Sequence, residues 1–126
     1  MSVRNTVMFD EIGAHRTTYL GSASLAFDRT VANGTLHKDK AVTVLANKQV
    51  GLAAAGNRVT GAVDHVEVDG MVVVVDSGYI RFLGTGTLGL GVIGAAGGLV
   101  AAATGQDAGF GVVVESGTGY VIVEHI

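Results

Sequence analysis

The chain has 126 residues, a net charge of −3 and a hydrophobic share of 48%, but it contains no Cys, Pro or Trp. This length provides one domain, and the lack of Cys excludes disulfide scaffolds, zinc ribbons and cysteine redox motifs. All eight Lys and Arg lie at or before Arg81 and form no basic run, so the sequence predicts no nucleic-acid binding, which needs a basic face.

The N-terminal segment differs from the rest because residues 1–35 sustain neither a two-residue nor a 3.6-residue hydrophobic period. Two interpretations remain open for it: an extended arm that gains its order from neighbouring molecules, or an irregular lead-in that packs on its own domain. On the arm interpretation, deletion of residues 1–30 is expected to leave the β-domain, residues 36–126, folded. Residues 1–10 lack the apolar run of a secretory signal.

Val-rich runs predict a series of short β-strands from Ala41 onward. The first four runs cover residues 41–45, 50–53, 59–68 and 71–75. Asp69-Gly70 separates the last two and predicts a tight hairpin, because both central residues of such a turn favour positive φ. Asp76-Ser77-Gly78 has a similar turn composition and predicts a further reversal before a strand at 79–83.

The next part of the chain is uncharged and rich in glycine. The stretch 83–105 is long enough to span a membrane, but eight of its positions are Gly. Since each Gly weakens a helix by up to ~1 kcal/mol, we predict no transmembrane segment. Only residues 99–104 are expected to add a helical turn, before a last hairpin formed by 111–115 and 120–126.

Short strands about every 8–12 residues, without an amphipathic helix, predict an all-β fold. We expect a small Gly/Val-rich β-barrel or sandwich with residues 1–35 as its extended N-terminal arm. The run of Val at 72–75 indicates that some strands are covered on both faces.

A glycine motif suggests nucleotide binding but lacks the necessary surroundings. Gly89-x-Gly91-x-x-Gly94 matches the dinucleotide fingerprint, which requires a βαβ unit. The stretch after Gly94, residues 95–126, is too short to complete such a unit and predicts a hairpin. We therefore predict no cofactor.

The polar residues form no catalytic or metal-binding pattern in the sequence. The four histidines are far apart and lack metal-ligand spacing. Asp64-His65 and Glu124-His125 are neighbours in strands, where adjacent side chains point to opposite faces. Ser77 lies in a turn sequence without a Gly-x-Ser-x-Gly elbow. We therefore predict that the chain is not an enzyme and has no catalytic residue and no metal.

The order of the predicted strands and glycine-rich turns is similar to that of a known family of proteins. A short apolar strand ends in Val50-Gly51, the Asp-Gly hairpin leads into a Gly-aromatic strand at 78–82, and a Gly-x-Gly-Val-x-Gly loop begins at Gly89. Gly-Phe-Gly-Val-Val-Val at 109–114 opens the last hairpin. Residues 38–126, the larger part of the chain, thus resemble the small capsid decoration (cement) proteins of tailed bacteriophages.

The resemblance implies a structural virion protein that binds the outside of a phage head and stabilises it. It also implies a homotrimer, the major capsid protein as partner, no nucleic-acid or membrane partner, synthesis in the host bacterial cytoplasm and a final location on the capsid exterior. As capsid or subunit contacts we predict apolar residues of the N-terminal segment and of the loop at 88–100: Val7, Phe9, Tyr19, Leu20, Phe27, Leu88, Leu90, Val92, Ile93, Leu99 and Val100. Two alternatives remain open, namely another phage structural module (tail, baseplate or head fibre) and a carbohydrate-binding, adhesin-like domain.

Overall fold

The structure, a computed structural model, describes residues 14–28, 32–104 and 109–125. In these ranges the chain forms nine strands and three short 3₁₀ helices, so the predicted all-β fold is confirmed. The strands are β1 His15–Gly21, β2 Ala41–Ala46, β3 Gln49–Leu52, β4 Gly61–Val66, β5 Met71–Leu83, β6 Val92–Ala95, β7 Leu99–Ala102, β8 Val112–Gly117 and β9 Tyr120–His125. The 3₁₀ helices are Ala23–Leu25, Ala32–His37 and Ala96–Gly98.

Five strands close into a barrel in the order β1-β3-β2-β4-β5, and β5 pairs back onto β1. All neighbours are antiparallel except β1 and β3, which meet in a short parallel contact where Leu20 lies opposite Gln49. The predicted Asp69-Gly70 hairpin is confirmed, since it connects β4 to β5. Closure pairs the main chain around the ring, which reduces the exposed strand edges that promote aggregation.

The long strand β5 joins the barrel to the remaining strands. Its pairing with β1 ends where His15 lies opposite Ser77, and its pairing with β9 begins at Gly78, opposite His125. The predicted reversal at Asp76-Ser77-Gly78 is therefore wrong, because the chain continues as one 13-residue strand. Gly78 takes a φ of 87° at the position where the partner changes, a conformation that costs a glycine little.

Two hairpins complete the fold outside the barrel. β8 and β9 pair as predicted across a turn at 118–119 and extend the sheet beyond β5. β6 and β7 form a separate two-stranded sheet, in which Gly94 lies opposite Val100. The helical turn predicted at 99–104 is wrong, because the 3₁₀ reversal Ala96–Gly98 places residues 99–102 beside β6, where they pair as a strand.

The hydrophobic side chains form two separate cores. One fills the barrel and consists of Leu25, Val42, Val50, Val63, Val66, Val72 and Val74. The other lies between the barrel and the added strands and includes Ile80, Phe82, Val92, Val100, Phe110, Val113, Val121 and Val123. In this second core the rings of Phe82 and Phe110 pack edge to face at 5.8 Å, a geometry that aromatic pairs favour.

The predicted division near residue 35 does not coincide with a structural boundary. β1 lies before it and is a barrel strand, and Leu25 in the first 3₁₀ helix is completely buried. The less exposed positions of β1 are Thr17, Tyr19 and Gly21, so the strand lacks the Val-rich alternation that marks the others. Deletion of residues 1–30 would remove this strand and Leu25, and we now expect it to prevent folding.

Candidate interaction surface

The structure separates the predicted contact residues into exposed and buried groups. Leu88 is 63% exposed, Leu20 49% and Leu99 41%. Tyr19 and Phe27 are partly buried and pack against the barrel core. Leu90 and Ile93 are also partly buried. The predicted contacts Val7 and Phe9 lie outside the described residues.

Two predicted contacts are excluded by their burial. Val92 is 0% exposed and Val100 is 2% exposed, and both belong to the second core. The sequence predicts a loop at 88–100, whereas a hairpin of β6 and β7 begins at Val92 and directs these two valines inward. Neither side chain is available to a partner.

Other exposed apolar residues were missed at the sequence level. They are Leu36, Val44, Leu45, Val68 and Val112, each between 45% and 67% exposed. Val44 and Leu45 follow the part of β2 that pairs with β4, which ends at Val42. Side chains of β2 become exposed where the strand extends past its pairing with β4. The alternation of apolar residues in the sequence does not reveal where that pairing ends.

Leu20 and Leu45 share the outer face of the barrel, and we call them the outer patch. Leu20 lies beside Gln49, and Gln49 and Gly51 point to the same side of β3 because they are two residues apart. Leu45 covers Gly51, since a Cβ atom there would overlap Leu45 Cδ1. Val50, on the opposite face of β3, is completely buried, so this face is the outer one.

A concave region opens beside Phe27, and we call it the Phe27 groove. Its volume is about 630 Å³, and it is lined by Phe27, Thr35, Lys38, Asp64, His65, Val66, Glu67, Val68 and Asp69. Two neighbouring concavities, of about 460 and 490 Å³, also reach Phe27. Of the predicted contact residues that the structure describes, Phe27 alone lines the groove.

Asp64 is the electrostatic centre of one groove wall. Its carboxylate is 2.8 Å from His65 Nδ1, 3.7 Å from Lys38 Nζ and 3.6 Å from Arg16 Nη2. Burial works to raise the pKa of Asp64, but the hydrogen bond from His65 and the charges of Lys38 and Arg16 outweigh it and lower the pKa overall. The wall therefore carries an ionised, partly neutralised carboxylate.

The contact between Asp64 and His65 shows that one sequence prediction is wrong, namely that these two neighbouring side chains point to opposite faces of their strand. A register shift between Val63 and His65 in the pairing of β4 with β5 explains it. Such a bulge bends the strand and turns a side chain out of strict alternation. His65 also approaches Glu67, two residues further along the extended chain, with Nε2 3.4 Å from the carboxylate.

None of the other described histidines lines the Phe27 groove, and two of them, His15 and His125, contact the same residue, Asp76. His15 Nδ1 lies 3.0 Å from an Asp76 carboxylate oxygen, and His125 donates to the Asp76 carbonyl oxygen at 3.0 Å. His37 has a lowered pKa, because burial and the nearby charge of Lys40 disfavour its protonated form more than Asp28 favours it. No group of three His, Asp or Glu side chains that could hold a metal occurs in ranges 14–28, 32–104 and 109–125.

The comparisons assign no family to this chain. A comparison with models of protein families finds none that matches, and a search of curated proteins finds no significant match. Within the described residues, no helix has the length and apolar character needed to cross a bilayer.

Proposed function

We propose that this chain is a structural virion protein, a capsid decoration protein that binds the outer surface of a phage head and stabilises it. The observation that carries the proposal is the exposure of large apolar side chains on the barrel and on the segments packed beside it. Leu20, Leu36, Val44, Leu45, Val68, Leu88, Leu99 and Val112 are all between 41% and 67% exposed. Exposed apolar surface, where it gathers into patches, favours burial against another protein.

The sequence resemblance supports the same function independently of exposure. The hairpins that carry it, β4–β5 and β8–β9, are both present. A barrel with paired strands supplies a rigid surface, so little conformational entropy is lost when its side chains are covered. Many copies on a lattice, associated as homotrimers, would strengthen a contact that is weak for each copy.

The outer patch is the part of this surface that we assign to the capsid. Leu20 and Leu45 lie on one face of the barrel, and Leu45 covers the buried Gly51 of the strand between theirs. Burial of an exposed apolar side chain contributes about 25 cal/mol per Å² covered. The two leucines therefore provide a modest contact energy for each copy.

The adhesin alternative receives less support from the positions of the aromatic rings. Phe110 is 8% exposed and its ring stacks on that of His125 at 3.9 Å. The Tyr120 ring is covered by the guanidinium of Arg81, 4.3 Å from the ring centre. Sugar binding uses open aromatic faces, and these two rings already have partners.

Co-sedimentation with phage heads that lack their decoration protein tests the proposal. The wild-type chain is expected to pellet with the heads, and the double variant Leu20→Ser/Leu45→Ser to remain largely in the supernatant. Val112→Ser is the matched control, because Val112 is similarly exposed but lies on β8. If the wild type binds isolated tails or baseplates rather than heads, the chain is another phage structural module.

A further inference from the structure

The Phe27 groove has an excess of negative charge on its rim. Three carboxylates, those of Asp64, Glu67 and Asp69, and one ammonium group, that of Lys38, line the groove. The Arg16 guanidinium also approaches Asp64, at 3.6 Å. Lys38 lies near Asp64 at 3.7 Å, whereas in the described part of the chain no Lys or Arg forms an ion pair with Glu67 or Asp69. The excess charge is thus concentrated at the β4–β5 hairpin.

The floor of the same groove is apolar. Phe27 is partly buried and rests against the barrel core, and Val66 lies beneath the hairpin. Val68 is 67% exposed, the largest exposure among the large apolar residues described. An occupant that covered Val68 and Phe27 would remove apolar surface from water, which favours binding.

Hydrogen bonds fix the acidic rim in place. Glu67 N donates to the Met71 carbonyl at 2.7 Å, and Gly70 N donates to the Glu67 carbonyl at 2.9 Å. An Asp69 carboxylate oxygen accepts from Met71 N at 3.0 Å. Because the hairpin is already ordered, a ligand does not have to organise the rim when it binds.

We propose that the Phe27 groove binds an extended peptide segment of a partner protein that presents a large apolar side chain to the floor and a Lys or Arg to the rim. Charge complementarity selects the cation, since no described Lys or Arg pairs with Glu67 or Asp69, and the His65 imidazole beside Glu67 is a cation only when it is protonated. Neighbouring side chains of an extended peptide point to opposite sides, so adjacent residues of this segment can reach the floor and the rim. The inference goes beyond the proposed function, because it holds for any partner and its test uses no capsid.

An NMR titration of the isotope-labelled full chain tests the inference. The probe is the N-acetylated, C-amidated hexapeptide Lys-Val-Lys-Phe-Lys-Val. Amide signals of the residues that line the groove are expected to shift, while those of β8 stay in place. The affinity is expected to fall as salt is added, because exposed ion pairs are screened.

Variants and a second peptide make the test specific. Glu67→Gln/Asp69→Asn keeps the shape of both side chains and is expected to weaken binding about ten-fold. Val68→Ser is expected to weaken it by about three-fold or more, and the control Glu124→Gln, at an exposed position on β9, is expected to have no effect. Equal binding of the peptide with Glu in place of each Lys would overturn the inference, as would unchanged affinity of the double variant or shifts confined to other surfaces.

Discussion

Gly34 lies directly against the carbonyl oxygen of Val66, and the space between them is too small for a side chain. This contact places the 3₁₀ helix Ala32–His37 on β4. Asp39 N then donates to the Val63 carbonyl at 2.8 Å. The helix and β4 together form the two sides of the Phe27 groove, since they contribute Thr35 and Asp64 to its lining.

Replacement of Gly34 by Ala is therefore expected to lower the free energy of unfolding by about 2–4 kcal/mol, since it adds both strain at φ 64° and an overlap with Val66. Gly56→Ala is the matched control. Its φ is 83°, but a Cβ atom there would meet nothing within 4 Å, so only about 1–2 kcal/mol is expected. Chemical denaturation of both variants measures the difference, and equal losses would show that the Gly34 contact is unimportant.

Leu25 is expected to stabilise the barrel, although it lies in residues 1–35, which the sequence analysis separates from the β-domain. Its side chain is completely buried with Val42 and Val72, so Leu25→Ala should cost about 2–5 kcal/mol through lost burial and a remaining cavity. Leu45→Ala, at a position 58% exposed, should change the free energy of unfolding by less than about 1 kcal/mol. A small effect of Leu25→Ala would mean that residues 15–28 are not part of the folding unit.

Asp64 is expected to make stability depend on acid pH. Its pKa is lower in the folded chain than the usual value of about 4, so its contribution is complete above that value and disappears as pH falls through the folded-state pKa. Asp64→Asn should therefore be less stable than wild type near pH 7, and the gap should narrow below about pH 4. Denaturation between pH 7 and 3, with Glu124→Gln as the control, measures this gap. A gap that does not change with pH would rule out the proposed interactions of the carboxylate.

Local sequence patterns predict the strands that pair with their neighbours in the chain. The Asp69-Gly70 hairpin and the β8–β9 hairpin follow from turn composition and Val-rich flanks, and both are present. β1 could not be predicted in this way, because Thr17 and Tyr19 occupy its inner positions and its pairing partner β5 comes much later in the chain. Asp76-Ser77-Gly78 has the composition of a turn, but the chain does not reverse there. At this point β5 changes its pairing partner from β1 to β9.

The Phe27 groove and the outer patch are formed by residues that are distant in the sequence, so a local sequence pattern cannot predict them. Phe27 was predicted as a contact, but its neighbours in the groove, such as Lys38 and Val68, come from separate parts of the chain. Leu45 was missed because its exposure results from the limited overlap of β2 with β4. Conversely, Val92 was predicted as a contact because it lies in a glycine-rich stretch typical of a loop. The packing of β6 buries it in the second core.

The most direct test of the proposed function measures how much purified chain binds to undecorated phage heads as the concentration of the chain increases. Analytical ultracentrifugation of the chain alone and with heads gives both its oligomeric state and the bound amount. A capsid decoration protein is expected to bind saturably in many copies per head and to make the coated heads more resistant to heat. Heads that sediment unchanged at saturating concentrations of a folded chain would contradict the proposal that its apolar surface serves to cover a capsid.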